Sequence, residues 1–245
     1  MRTKIVPVSN VTRLAEAGEA LISRAPGMPG MGLCFGASGY GKTTAVAWLA
    51  TRQHGVFVRA RATSTPTSLL ETICREVNIA ARNRISQTVD VLVEKLAETG
   101  RPLFVDEADY VVGQSRLVDT LRDLHDLSSV PVILIGMAGI DRKISLSPQL
   151  SGRIAQWVEF QAASVDDAKL LTKELCEVTV ADDLVAELHT RANGSVRNLV
   201  VGLGKIEQFA RSRSAGKVAL ADWPRGADFF LGGATRAVAK RLQVA

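Results

Sequence analysis

The sequence feature that most constrains this chain is the glycine-rich segment from Gly36 to Thr44. It matches the pattern G-x-x-x-x-G-K-[ST] at every fixed position. The apolar run Leu33–Phe35 precedes it and predicts a short buried strand, while residues 45–50 follow it and predict a helix. A strand, a glycine-rich turn and a helix in this order form the context in which the pattern binds phosphate. A glycine-rich turn with a chance lysine is the simpler alternative, and the flanking elements disfavour it.

Each fixed residue of the segment has a chemical role in a phosphate loop. Glycines let the backbone turn so that its N–H groups point inward at phosphate oxygens, and the helix N-terminus adds partial positive charge. Lys42 would reach the β- and γ-phosphates, and the Thr43 hydroxyl would hold Mg²⁺. The expected ligands are therefore ATP and Mg²⁺.

A second signal is an apolar strand, Leu103–Val105, that ends in two acids, Asp106 and Glu107. In a parallel sheet this places both carboxylates at the carboxyl edge, beside the phosphate loop. Asp106 would bind Mg²⁺ directly or through water, and Glu107 would act as the general base on the attacking water. The residues expected to bind the nucleotide and its metal are Gly36, Ser38, Gly39, Gly41, Lys42, Thr43, Thr44 and Asp106.

Composition narrows the class of protein. The chain has 245 residues, 47% of them hydrophobic and 22% charged, which is ordinary for a globular protein. No apolar run is long enough to cross a bilayer and no signal peptide is evident, so we expect a cytoplasmic protein without a membrane partner. The three cysteines are far apart among apolar neighbours, which predicts buried, reduced thiols. The net charge of +5 permits an acidic partner such as nucleic acid.

The order of elements predicts an α/β fold. Five short apolar strands alternate with helical segments up to residue 163, which indicates a parallel sheet with helices on both faces. From Ser164 the pattern favours helices alone. We expect Asn10 to cap the first helix and a later helix to begin near Ser68. The predicted parts are an N-terminal helix and linker at 1–30, an ATPase core at 31–163, a helical lid at 164–220 and a tail at 221–245.

Together these features resemble the AAA+ ATPases, in which the sheet order is 5-1-4-3-2. The resemblance implies two arginines in catalysis beside Lys42 and Glu107. Arg153 lies before the fifth strand, where the family carries the arginine finger that reaches a neighbouring subunit's nucleotide, and Arg142 and Lys143 are rivals for this role. Arg197 opens the last lid helix, where the family places the second sensor of the γ-phosphate.

One element of the family pattern is absent from the sequence. The first sensor is a polar residue at the end of strand four, but here the strand runs into Gly136-Met137-Ala138-Gly139. None of these side chains can hold the attacking water, so we expect slow hydrolysis that DNA or a partner stimulates, or a substitute group.

Within the AAA+ proteins, two segments resemble the transposition helper group, which includes the phage Mu B protein and related target-selection ATPases. They are Ile135–Ile140 and Ser147–Arg153. The resemblance implies an ATP-dependent homo-oligomer, a ring or helical filament on duplex DNA, that binds with little sequence preference and recruits a transposase. We expect no counterpart of the phage protein's N-terminal DNA-binding module, and therefore expect DNA contacts from the ATPase domain itself.

The expected DNA contacts are arginines near the second strand and the loops that follow it, because guanidinium groups lining a channel would bind phosphates. They are Arg59, Arg61, Arg82 and Arg84. Basic residues near the C-terminus are further candidates for contact with DNA or transposase: Arg236, Lys240 and Arg241.

Three other functions stay open from the sequence. A helicase loader shares this core and differs in its partner. An AAA+ protein of the general-secretion or signalling type would assemble with nucleotide and ignore DNA. A non-hydrolysing, ATP-gated scaffold would fit the missing first sensor.

Overall fold

A computed structural model describes residues 1–224 and 226–230 of the chain. The basic residues Arg236, Lys240 and Arg241 lie outside the described residues. The chain divides into two compact units. One is Ser9–Gln161, and the other combines Met1–Val8 with the chain from Ala162 onward.

The first unit is built on a five-stranded parallel sheet. Its strands are β1 (Met31–Gly36), β2 (Val56–Arg59), β3 (Leu103–Asp106), β4 (Val132–Ile135) and β5 (Ile154–Phe160). They lie in the order β2-β3-β4-β1-β5, which is 5-1-4-3-2 read from the opposite edge. The predicted fold class is thus confirmed.

Eight helices precede or connect the strands in the described part of this unit. They are α1 (Ser9–Ile22), α2 (Lys42–Arg52), α3 (Pro66–Glu76), α4 (Ile85–Thr99), α5 (Asp109–Val112), α6 (Ser115–Ser128), α7 (Ile140–Ser145) and α8 (Pro148–Ser151). Strands β3 and β4 are buried along their whole length, as expected for strands covered on both faces. This burial explains why both read as continuous apolar runs in the sequence.

Two helix starts differ from the sequence predictions. Asn10 lies inside α1, because its side-chain amide bonds the backbone of Gln161 instead: Nδ2 donates to the carbonyl at 2.8 Å, and Oδ1 accepts from the N–H at 3.1 Å. Helix α3 begins at Pro66, before the predicted Ser68. Thr65 caps it by accepting from the Ser68 N–H, and proline suits the first helical position because it has no N–H to satisfy.

The second unit is mainly helical. It contains α9 (Val165–Leu175), α10 (Asp182–Ala192) and α11 (Val196–Ser212). The expectation of helices alone is wrong in one respect, because β6 (Thr179–Val180) and β7 (Lys217–Val218) form a short parallel pair. Segments of two residues are too short to show a periodic pattern in the sequence.

The three cysteines lie in the interior of the protein. Cys34, Cys74 and Cys176 are buried free thiols, as predicted. Burial raises the pKa of the Cys34 thiol to about 12 and that of Cys176 to about 11, so both stay protonated at neutral pH.

Among the helices of the described residues, none combines the length and apolar character required to span a bilayer.

Candidate nucleotide-binding site

The glycine-rich segment is the connection between β1 and α2. Three of its glycines have left-handed backbone angles, with φ of 147° at Gly36, 86° at Gly39 and 88° at Gly41. Gly36 also lies against β5, where an added Cβ would approach the backbone oxygen of Phe160 to 2.4 Å. The turn therefore needs glycine for both its backbone angles and its close contact with the sheet.

Lys42 is the first residue of α2 and is only 9% exposed. Its Nζ donates to the carbonyl oxygens of Gly36 at 2.7 Å and Ala37 at 2.9 Å. Burial lowers the pKa of Lys42, while nearby acidic groups, Asp106 and Glu107 among them, act in the opposite direction. The loop thus holds a buried ammonium group within electrostatic reach of both predicted site carboxylates.

Asp106 is the last residue of β3 and is 3% exposed. Its Oδ1 accepts the backbone N–H of Glu107 at 3.0 Å. Its Oδ2 accepts from Arg59, at 3.1 Å from Nε and 2.9 Å from Nη2. Glu107 has φ of 56°, an uncommon angle for a residue other than glycine, so the chain turns sharply where the strand ends.

The donor set fits the predicted magnesium ion. Thr43 offers a hydroxyl on a half-buried residue at the start of α2, and Asp106 offers a buried carboxylate at the carboxyl edge of the sheet. Mg²⁺ prefers oxygen ligands, often one or two from the protein with the rest from phosphate and water. Within residues 1–224 and 226–230, no group of three or more His, Cys, Asp and Glu side chains is placed to hold a metal.

The end of β4 lies beside the same lysine. Met137 occupies the region expected to hold the first sensor, and its Sδ is 3.9 Å from Lys42 Nζ. Asp109, on α5, accepts the backbone N–H of Met137 at 2.7 Å. Asp109 also acts on the pKa of Lys42 in the same direction as Asp106 and Glu107. The sensor region thus presents a thioether to the site, with an aspartate fixing the backbone beneath it.

Arg153 is held by an acid of its own unit. Its guanidinium contacts the Asp126 carboxylate through Nε at 2.8 Å and Nη2 at 2.6 Å, and its Nη1 donates to the Gln149 carbonyl at 2.6 Å. The hydrogen bond from Arg153 lowers the pKa of Asp126. The role of Arg153 as a finger stays a prediction, and the structure adds that Asp126 orients it.

The remaining predicted arginines are exposed. Arg197 lies near the start of α11, which Ser195 caps by accepting the Asn198 N–H. Arg61 follows β2, and Arg82 and Arg84 lie in the loop before α4. Arg59 differs from Arg61, Arg82 and Arg84, because its guanidinium is bonded to Asp106. Contact of Arg59, Arg61, Arg82 and Arg84 with DNA stays a prediction, as does the sensor role of Arg197.

Three features of the site are not predicted by the sequence. The first two are the Arg59–Asp106 pair and the Arg153–Asp126 pair. The third is the bond from Met137 to Asp109. The position of Arg59 and Asp106 at the ends of two apolar strands is a signal that could have found the first pair. The other two depend on folding of distant segments, and no local pattern marks them.

Comparison with known proteins identifies the family to which this site is similar. A family model described as "AAA domain" matches residues 27–144, which include the phosphate loop, Asp106 and Glu107. No curated protein sequence matches the chain.

Solved structures with a similar fold include three proteins. The Orc1 protein of Aeropyrum pernix, solved in complex with DNA, has a TM-score of 0.61 and 18% identity over 86% of this chain and 61% of its own. Cdc6p from Pyrobaculum aerophilum has a TM-score of 0.64 and 17% identity over 88% of this chain and 65% of its own. The RuvB Holliday junction branch migration motor of Thermotoga maritima has a TM-score of 0.58 and 17% identity, covering 87% and 66%.

The chain spans between 61% and 66% of the length of these three proteins. At these identities the likeness shows the fold, and the fold is the AAA+ fold.

Proposed function

We propose that this chain is an ATPase that binds ATP and Mg²⁺, assembles on duplex DNA and recruits a transposase to that DNA. The observation that carries the proposal is the buried Lys42 ammonium in its glycine-rich loop, beside the Asp106 and Glu107 carboxylates. A buried cation at a helix N-terminus is suited to a triphosphate, and the adjacent acids are suited to a metal ion and a water.

Nucleotide binding would exchange one set of oxygen partners for another at Lys42. Its Nζ now bonds two loop carbonyls, and phosphate oxygens would replace them or add to them. Since burial disfavours its charge, the negative triphosphate would stabilise the lysine in the charged form. Mg²⁺, when bound, neutralises charge on the phosphates, and Thr43 and Asp106 are the residues that would hold it.

Hydrolysis would depend on Glu107, which would accept a proton from the attacking water. Met137 cannot orient that water by a hydrogen bond of the strength that an amide or hydroxyl provides. We therefore expect slow basal hydrolysis. Arg153 of a neighbouring subunit and Arg197 would add positive charge at the γ-phosphate in the assembled state.

The proposed DNA contact rests on exposed arginines of the sheet unit. Arg61, Arg82 and Arg84 are exposed and lie in loops after β2 and before α4. Arginine binds phosphate through a planar fork of donors, with little dependence on base sequence. The similar fold of Orc1, which was solved with DNA, is consistent with this assignment. The transposase as partner rests on the resemblance of residues 135–140 and 147–153 to the transposition helpers.

The test is DNA binding with and without nucleotide. Purified protein would be titrated into a fluorescent duplex of arbitrary sequence, with ATP analogue and Mg²⁺ or with EDTA, at several salt concentrations. We expect binding that requires nucleotide and weakens steeply with salt. Lys42→Ala should lose the nucleotide effect. DNA binding that ignores nucleotide, or no DNA binding, would contradict the proposal.

The contribution of the loop arginines to DNA affinity is tested by substituting them one at a time. Arg82→Gln and Arg84→Gln should each weaken binding on all sequences and reduce the salt slope by about one. Arg75→Gln is the matched control, because Arg75 is an exposed arginine on the last turn of α3, bonded to its own helix.

Electron microscopy of the complex reports whether a ring or a filament forms. Separate assays of transposase stimulation and of helicase loading by this protein identify which of the two is its partner.

A second candidate function is a nucleotide-gated scaffold without hydrolysis. The specific observation in its favour is Met137, whose thioether takes the position of a polar sensor beside Lys42. Phosphate release by the wild type and by Glu107→Gln, with and without DNA, separates the two functions. Equal background release from both proteins supports the scaffold, and faster release by the wild type supports the ATPase.

A further inference from the structure

Both oxygens of the Asp106 carboxylate are already engaged. Oδ1 accepts the Glu107 N–H at 3.0 Å, and Oδ2 accepts two N–H groups of Arg59 at 2.9 and 3.1 Å. Asp106 is 3% exposed, so solvent and salt screen the charge of its carboxylate only weakly. The carboxylate expected to serve Mg²⁺ therefore has a cation of the protein bound to it.

The sheet itself brings Arg59 to this position. In the parallel pairing of β2 and β3, Arg59 lies directly opposite Asp106. The next residue, Ala60, donates its backbone N–H to the Asp106 carbonyl at 2.9 Å. Backbone pairing on each side of the contact holds the two Cα atoms in register. The ion pair is thus a product of strand register and is not a chance meeting of two long surface side chains.

The two partners differ in how freely they can move. The Asp106 side chain is 4% exposed, whereas the Arg59 side chain is 55% exposed. Arginine has a long, flexible stem, and more than half of the Arg59 side chain is exposed to solvent. The carboxylate is therefore fixed, while the guanidinium can swing outward and leave Oδ2 accessible. This asymmetry makes Arg59 the partner that would be displaced.

We propose that Arg59 is a resident cation that competes with Mg²⁺ for the Asp106 carboxylate, and so sets the Mg²⁺ concentration that nucleotide binding requires. The inference rests on the proposed nucleotide site. A divalent ion at Asp106 and a guanidinium on the same oxygen repel each other, and the repulsion is strong where water is scarce. Removing the guanidinium charge should therefore raise the apparent affinity for Mg²⁺.

Competition with the metal and simple structural support predict opposite changes in the Mg²⁺ requirement when Arg59 is removed. If Arg59 only supports the strand ends, its removal would loosen Asp106 and raise the Mg²⁺ requirement. If Arg59 competes with the metal, its removal lowers the requirement. Arg59→Lys separates charge from geometry, because lysine keeps the positive charge but loses the two-pronged contact. It should stay closer to the wild type than Arg59→Gln does.

The experiment is a titration of a fluorescent ATP analogue at Mg²⁺ concentrations from EDTA to saturation, without DNA. The measured quantity is the Mg²⁺ concentration that gives half of the metal-dependent gain in nucleotide affinity. We expect Arg59→Gln to lower it at least about fivefold, the lower end of typical coupling between two ligands. Arg75→Gln, which removes one exposed positive charge from α3, should match the wild type.

The outcomes are distinct. An equal or higher half-saturating Mg²⁺ concentration in Arg59→Gln, with nucleotide still bound, overturns the role of Arg59 and leaves the nucleotide site standing. Wild-type protein that binds no nucleotide at any Mg²⁺ concentration overturns the proposed function and this inference with it. A lowered value in Arg59→Gln and an intermediate one in Arg59→Lys support the competition.

Discussion

The Sδ atom of Met137 lies 3.9 Å from the Nζ atom of Lys42, so a thioether borders the buried ammonium of the phosphate loop. A thioether is a weak hydrogen-bond acceptor and has no donor. It leaves the end of β4 without a side chain able to orient a water. One oxygen of Asp109, Oδ2, accepts the Met137 N–H at 2.7 Å, which fixes the backbone of this turn.

Replacing Met137 by asparagine should speed hydrolysis. The amide would supply a hydrogen bond to the attacking water, and a positioned hydrogen-bonding group at a reaction centre changes rates by about tenfold or more. Phosphate release under saturating ATP and DNA measures the effect. Met137→Leu keeps an apolar side chain of similar size and should not show the gain. A rate for Met137→Asn no higher than that for Met137→Leu would argue that another group orients the water.

Gly36→Ala should destabilise the sheet unit. Gly36 has φ of 147°, and a Cβ there would lie 2.4 Å from the Phe160 backbone oxygen. We expect the free energy of unfolding to fall by about 2 kcal/mol or more, measured by urea denaturation. Gly113→Ala is the control, because Gly113 has φ of −75° and an ordinary 3.9 Å contact. It should leave the free energy of unfolding unchanged or raise it by up to about 1 kcal/mol.

Arg153 should act on the nucleotide of a neighbouring subunit, and mixing two inactive variants tests this. Lys42→Ala lacks the phosphate-binding cation but keeps Arg153, while Arg153→Gln keeps its own phosphate loop. If the finger acts between subunits, mixed oligomers regain hydrolysis that neither variant shows alone. A mixture that stays inactive, although the two proteins co-assemble, would place the finger elsewhere, with Arg142 and Lys143 as the next variants.

The buried His125 should make stability depend on pH. Burial lowers the pKa of His125 from its ordinary value of 6.5, opposed by the bond from its ring to the Val130 carbonyl at 2.7 Å. Below about pH 6.5 the unfolded chain takes up the proton more readily than the folded one. Stability contributed by neutral His125 is therefore present above that pH, and it is lost as the pH falls towards the lower folded pKa.

The loss should not exceed about 1.4 kcal/mol per pH unit. Urea midpoints at neutral and mildly acidic pH measure it, with His125→Asn as the comparison. The asparagine amide can still donate to the Val130 carbonyl but does not titrate in this range. A wild type and variant with equal slopes would mean that other groups control the pH dependence.

The sequence predicts the parts of this protein that depend on local pattern. The phosphate loop is one such part, because its glycines and Lys42 are adjacent and lie between a strand and a helix. Strand order was available through family resemblance. Asn10 shows the limit: its residue type suits a helix cap, but its partner, Gln161, is far away in the chain. No local pattern reports that bond.

The charge pairs of the site illustrate the same limit. Arg59 and Asp106 meet because β2 and β3 pair in one register, and a shift by one residue would exchange the side chains facing each other. Arg153 and Asp126 meet because β5 starts beside the last turn of α6. A sequence shows that these residues are charged. Which of them are neighbours is decided by long-range pairing.

The outermost position of β2 has a further consequence. Strands at the margin of a sheet exchange their amide hydrogens through local fraying, at lower free energy than strands in its middle. Arg59 belongs to this margin, whereas the phosphate loop grows from β1, which lies between β4 and β5. Mild denaturant, well below the global transition, should thus release Arg59 from Asp106 and lower the half-saturating Mg²⁺ concentration for nucleotide binding, as Arg59→Gln does.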